Sequence, residues 1–117
     1  MTPEGAILKS CLDYLAAKHI LAFRMNTGAM AAEHNGKKRF MRFGTPGMAD
    51  ILAFPKRWID QFHVHGHWEY ELPCWIECKT ETGRQSELQK SFQKQVEENG
   101  HRYLIARGVD DLITAGL

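Results

Sequence analysis

The sequence has no apolar run near the ~18 residues that a bilayer span requires, so no membrane partner is expected. Its first residues, Met1-Thr2-Pro3-Glu4, lack the basic and then apolar pattern of a secretion signal. Cysteine is scarce: Cys11, Cys74 and Cys78 are an odd count at spacings that support no disulfide framework, and the expected location is cytoplasmic. There is no repeat, low-complexity tract or Pro/Ser-rich linker, and 117 residues suit one domain with a core large enough to fold unaided. The Gly44-Thr45-Pro46-Gly47 turn lacks the Lys-Ser/Thr that completes a Walker-type phosphate cradle. Nor does anything mark a nucleophile elbow.

Net charge is also nearly absent, at +1, but it is unevenly placed. From Arg24 to Arg57 the chain carries Arg24, Lys37, Lys38, Arg39, Arg42, Lys56 and Arg57 against only Glu33 and Asp50. A basic third on a nearly neutral chain points to local contact with a polyanion. A solvated basic loop would have the same composition.

With 44% hydrophobic and 25% charged residues and a mean hydropathy of −0.40, the composition is that of a globular domain. Thr2-Pro3 reads as a helix cap with proline at the first position. Ile7, Leu8, Cys11, Leu12 and Leu15 then keep helical spacing, which predicts a helix over 3–18. Glu4 falls on the same stripe as Leu8, Cys11 and Leu15, either as a first-turn acid favoured by the helix dipole or as a side chain aimed into a site. Residues 20–25 read as a strand, and 27–47 as a long loop or hairpin around Arg39-Phe40-Met41-Arg42-Phe43. Ile51-Leu52-Ala53-Phe54, ended by Pro55, reads as a buried strand. Residues 56–73 form a polar, aromatic, histidine-rich excursion, and 74–79 the next strand. Ser86-x-x-Gln89 has the form of a capping box opening a helix that Asn99-Gly100 closes. Residues 103–106 read as a last strand, after which Asp110 could cap a short helix. The expected fold class is α/β, with helices around one central sheet of about four strands.

Strand alternation sets Trp75, Glu77 and Lys79 on one face and Cys74, Ile76 and Cys78 on the other. The second set suits a core, which argues against cysteine catalysis through Cys78. The first sets a carboxylate and an ammonium side by side, with Asp50 opening the preceding apolar strand. If those strands are neighbours, Asp50 and Glu77 can converge into a hard oxygen site suited to Mg²⁺ or Mn²⁺. A lysine beside it could orient water or stabilise phosphate charge. Glu-x-Lys on a strand is also what an ordinary exposed face carries, and Asp50 could equally be a turn residue.

In order, Gly47-Met48-Ala49-Asp50, then Ile76-Glu77-Cys78-Lys79, then Ser86-x-x-Gln89 resembles the PD-(D/E)xK nuclease superfamily. More narrowly, it resembles the VRR-NUC family in its short stand-alone form from phages and prophages. The similarity runs from Glu4 to Asp110-Asp111-Leu112, as one nuclease domain. The resemblance implies a restriction-endonuclease-like core of order αβββαβ with a short terminal helix. It implies Asp50, Glu77, the Cys78 carbonyl and Glu4 as holders of Mg²⁺ or Mn²⁺, Lys79 as the catalytic lysine and Gln89 as a helix residue facing the site. The chain departs from the family in having Ala49 where proline usually precedes the aspartate, and in the length of its 55–73 segment.

The function expected is a metal-dependent DNA endonuclease, with Lys37, Lys38, Arg39 and Arg42 on the DNA backbone. Short stand-alone members resemble Holliday-junction resolvases, which implies branched DNA and a homodimer in a phage-infected or lysogenic bacterial cytoplasm. The alternatives are a flap- or restriction-type nuclease with the same site, and a nucleic-acid-binding module whose acidic cluster is structural. If their segment is a strand, His63, His65 and His67 share one face, as a solvated hairpin or as weak contacts to phosphate or a partner subunit. Cys74 and Cys78 would lie about 13 Å apart on a strand, too far to share zinc with them.

Overall fold

The computed structural model describes residues 1–25, 28–34, 36–43, 45–60 and 65–117, the stretches 28–34 and 37–43 by their backbone alone. Helix α1 (Pro3–Ala17) begins where Thr2 Oγ1 accepts from the Gly5 N–H at 3.0 Å, with proline in the first turn. Strand β1 (Leu21–Arg24) follows, then the antiparallel pair β2 (Gly28–His34) and β3 (Lys37–Phe43). Strand β4 (Ile51–Phe54) leads directly into a second pair, β5 (Lys56–Ile59) and β6 (His67–Tyr70). The chain closes with β7 (Cys74–Cys78), α2 (Glu87–Glu98), β8 (Arg102–Ala106) and α3 (Val109–Thr114).

The fold is α/β around a mixed four-stranded sheet of order β1-β4-β7-β8. The β1–β4 and β4–β7 pairs are antiparallel, and β7–β8 is parallel. The parallel pair needs a crossover, which α2 supplies. Each strand of this sheet was legible in the sequence to within a residue or two. The stretch left between loop and hairpin is the β2–β3 ribbon, and the excursion before β7 is the β5–β6 ribbon.

Alternation divides the sheet as its residue types require. Ile51, Ala53, Cys74, Ile76, Cys78 and Ala106 are buried on one face with Cys11 and Leu15 of α1 and Leu112 of α3. On the opposite face Phe92 of α2 meets Trp75 edge-on at 5.1 Å and Tyr103 at 6.3 Å. Helix α2 covers the β7–β8 half of that face, while Leu21, Phe23 and Phe54 on the β1–β4 half stay exposed. In the second ribbon Trp58 and Trp68 pair across the strands at 5.3 Å, with the Lys56 ammonium 4.4 Å from the Trp68 ring.

The terminal helix corrects one reading. Its N-cap is Gly108, and the carboxylate closing its start belongs to Asp111, which accepts from the Arg107 N–H at 2.7 Å; Asp110 sits in the first turn without that role.

Ile76 is wholly buried at the centre of the sheet. Ile76→Ala is expected to lower unfolding free energy by about 2–5 kcal/mol, read from denaturant melts. A loss under about 1 kcal/mol would mean the sheet does not pack around this strand.

Candidate functional site

The β4–β7 register sets Ile51 opposite Ile76, so Asp50, one residue earlier, arrives beside the end of β7. The Met25 N–H donates to the Asp50 carbonyl at 2.7 Å and carries the β1–β4 pairing up to this residue. Its side chain turns to β7, where Oδ2 accepts the Cys78 backbone N–H at 2.7 Å. Asp50 thus ties two strand ends through a charge-assisted hydrogen bond.

The preceding loop is held from the other side. Gly47 has φ +81°, and a Cβ there would overlap the Leu88 carbonyl in the first turn of α2. Only glycine admits both that backbone conformation and that approach. The glycine of the motif is therefore the point at which the Asp50 loop docks on α2.

Glu77 is 0% exposed. The Tyr103 hydroxyl donates to its Oε1 at 2.6 Å, and Oε2 is buried with no hydrogen-bond partner. An unpartnered carboxylate oxygen inside a protein costs several kcal/mol unless something compensates it. Lys79, two residues on and only 8% exposed, makes no ion pair among the described residues. Its N–H donates to the Ala106 carbonyl at 3.0 Å and extends the β7–β8 ladder. The turn beyond is pinned by Arg107, whose Nη1 donates to the carbonyls of Thr80 at 2.6 Å and Gly83 at 2.7 Å.

Glu4, in the first turn of α1, lines a cavity of about 340 Å³ together with Thr2, Gly5, Leu8, Asp50 and Cys78. Glu4 is itself exposed, and what it shares with Asp50 is the lining of this cavity. Electrostatics link the carboxylates further. Asp50 and Glu4 both push the Cys78 thiol up, behind the larger effects of the Cys11 hydrogen bond and burial. Glu77 and Asp50 both push the Tyr103 phenol up, after burial. The donors are hard anionic oxygens, and the orphaned Glu77 Oε2 is the kind of atom a divalent cation satisfies. Among the described residues, however, no three His, Cys, Asp or Glu side chains are arranged as a ready metal-holding group.

Gln89 takes its bland role. Its Oε1 accepts the Ser86 N–H at 2.8 Å while its own N–H donates to Ser86 Oγ at 3.2 Å, a complete capping box. Lys37, Lys38, Arg39 and Arg42 all lie on β3, and their side chains fall outside the described residues. His63 falls outside them as well; His65 and His67 are exposed, with His67 Nε2 3.6 Å from Glu69. Cys74 and Cys78 are both buried on the core face, remote in character from any zinc role.

Two residues escaped the sequence reading, Tyr103 and Gln85. Gln85 Nε2 donates to the Tyr103 hydroxyl at 3.4 Å and to Gln93 Oε1 at 2.9 Å. Nothing local to residue 103 signals a partner 26 positions away.

Gly47→Ala is expected to lower stability by more than about 1 kcal/mol, since both the backbone conformation and the contact with α2 are lost. An unchanged melting temperature would show that the loop is not pinned there. Stability should also fall in alkali. Burial raises Cys74 and Tyr103 from their ordinary 9.0 and 10.0, while the Cys11–Cys78 hydrogen bond raises Cys78 and lowers Cys11, so that pair works in both directions and the alkaline loss rests on Cys74 and Tyr103. Above those ordinary values the unfolded chain loses protons that the folded one retains, so unfolding becomes easier as pH rises. The melting temperature should hold from about pH 7 to about pH 8.5 and decline beyond about pH 9.

No family model, curated protein or solved structure matches this chain.

Proposed function

We propose that this protein is a divalent-metal-dependent DNA endonuclease with a restriction-endonuclease-like core and a VRR-NUC-type site. One observation carries the reading: Glu77 is fully buried with Oε2 unpartnered, on the strand paired with the one that Asp50 opens. A fold gains nothing from such an oxygen, whereas a cation site needs it. Asp50, Glu77, Glu4 and the Cys78 carbonyl are the groups that would hold Mg²⁺ or Mn²⁺. A cation bound there supplies Lewis acidity toward the phosphate and lowers the pKa of water.

Lys79 shares the strand face of Glu77 and is shielded from bulk solvent. Its ammonium is suited to hold a phosphate oxygen and to order the attacking water, with the Arg107-pinned turn fixing the end of its strand. Gln89 has its Oε1 committed to the cap, so only its Nε2 is left to donate to phosphate. Lys37, Lys38, Arg39 and Arg42, all on β3, would be the contacts to the DNA backbone. Such contacts position DNA without reading bases, which suits recognition by shape. We take branched DNA, four-way junctions foremost, as the substrate, a homodimer as the acting form, and the cytoplasm of a phage-bearing bacterium as its setting.

The test is Mg²⁺- and Mn²⁺-dependent cleavage of labelled four-way junction, 5′ flap, duplex and single strand. Lys79→Ala should lower the rate by at least about 100-fold with DNA binding kept, and Asp50→Asn should do the same. Paired nicks in the junction support the resolvase form. Cleavage confined to flap or duplex leaves the nuclease and removes the junction. Junction binding without any cleavage would make the chain a binding module instead.

A further inference from the structure

Glu77 cannot serve a cation unless its carboxylate is held in one orientation, and the strand does not hold it. The last torsion of a glutamate is broad, so the strand alone does not decide which oxygen meets which neighbour. What fixes it comes from the neighbouring parallel strand. Trp75 stands opposite Tyr103 and Glu77 opposite Ile105 in the β7–β8 register, so Tyr103 lies diagonal to Glu77 on the same face. From there its hydroxyl reaches Glu77 Oε1 at 2.6 Å, the length of a strong bond to an ionised acceptor.

The hydroxyl is itself directed. Gln85 Nε2 stands 3.4 Å from the Tyr103 oxygen and donates to it, so the phenol proton is left for Glu77. Gln85 is in turn fixed by Gln93 Oε1 of α2 at 2.9 Å. Phe92 and Trp75 pack beside the Tyr103 ring. The chain Gln93–Gln85–Tyr103–Glu77 ends at Oε2, the one atom of the carboxylate with no partner.

We propose that Tyr103 is a positioning residue for the cation site, occupying Glu77 Oε1 so that Oε2 is the oxygen presented to a divalent cation, with Gln85 setting the direction of the phenol proton. The inference rests on the metal-site reading given above. Groups that orient a metal ligand typically change metal affinity 10–100-fold when removed. Phenylalanine at 103 keeps the ring and its packing and deletes only the hydroxyl.

The experiment is a Mn²⁺ titration of the full chain without DNA, followed by the paramagnetic resonance signal of free Mn²⁺, for wild type, Glu77→Gln, Tyr103→Phe and Phe92→Leu. Melting temperatures are measured on the same samples. The expected result is binding by wild type, its loss in Glu77→Gln, and weakening of about tenfold in Tyr103→Phe. Phe92→Leu should lower the melting temperature through lost packing and leave Mn²⁺ affinity unchanged. In a cleavage assay Tyr103→Phe should need about tenfold more Mn²⁺ for half-maximal rate and regain the wild-type rate at saturation.

Wild-type affinity in Tyr103→Phe, with Glu77→Gln still deficient, overturns the role of Tyr103 and leaves the metal site standing. Equal loss of Mn²⁺ affinity in Phe92→Leu and Tyr103→Phe, tracking their melting temperatures, also overturns it, because packing alone would then explain both. Absence of Mn²⁺ binding in wild type, or binding untouched by Glu77→Gln, overturns the metal site and the inference with it.

Discussion

A carboxylate buried in the middle of a sheet is the constraint from which the rest of this structure follows. Glu77 has no solvent contact and a hydrogen bond to only one of its oxygens. In a domain of 117 residues, with net stability of order 5–15 kcal/mol, a penalty of several kcal/mol is a large share of the total. The surrounding elements reduce it where they can. Helix α2 sets Phe92 over Trp75 and Tyr103 on the β7–β8 half of the sheet, and Tyr103 supplies a strong donor from β8. Asp50 meanwhile spends one of its oxygens on a backbone N–H of the same strand. What is left over is one oxygen, and a fold selected for stability alone would have put a hydrocarbon there.

The two faces of β7 explain why that carboxylate can exist at all. Cys74, Ile76 and Cys78 are locked between the sheet and α1, so the strand is anchored by one face independently of the other. Glu77 and Lys79 ride on a strand that is already stable. The parallel register with β8 then brings Tyr103 to a diagonal position, and the capping box at Ser86–Gln89 fixes where α2 begins. Gly47 transmits that position to the Asp50 loop through its contact with Leu88. The order of the motifs along the chain is thus also an order of mechanical supports: glycine on helix, aspartate on strand, glutamate under tyrosine.

Much of this was legible in the sequence because it is local. Alternation over Cys74–Cys78 identified the core face, the spacing over α1 identified the stripe that buries Cys11 and Leu15 while Glu4 at its start stays exposed, and Ser86-x-x-Gln89 identified the helix start. The same alternation left Glu77 and Lys79 free to be an exposed pair; α2 covers that face, and nothing within the strand announces the cover. The Tyr103–Glu77 bond depends on a parallel crossover, so its partners are set by packing and not by spacing. Asp110 and Asp111 are equivalent to a propensity argument, and only the backbone path after Gly108 makes Asp111 the residue that reaches back to Arg107.

Three carboxylates, Glu4, Asp50 and Glu77, gather at this end of the sheet, where Arg24 ends β1 and Arg107 pins the turn after Lys79. Asp50 and Glu4 border one cavity, Glu77 lies one residue from the Cys78 N–H that Asp50 accepts, and Lys79 is the cation on the same strand. Asp50 and Glu4 add to the rise of the Cys78 thiol behind its Cys11 hydrogen bond and burial, and Glu77 and Asp50 add to the rise of the Tyr103 phenol behind burial. At the opposite end of the sheet, beside the turn from β4 into the β5–β6 ribbon, Lys56 sits against Trp68 and Arg57 pairs with Glu71 at 3.4 Å. Acid is gathered where the strands end beside α1 and the Gly47 loop, while basic residues crowd onto the ribbon that leaves from the same place. In the function proposed above, a cation would be held by the acids and a phosphodiester by the ribbon, so that both charges would meet at one end of the sheet.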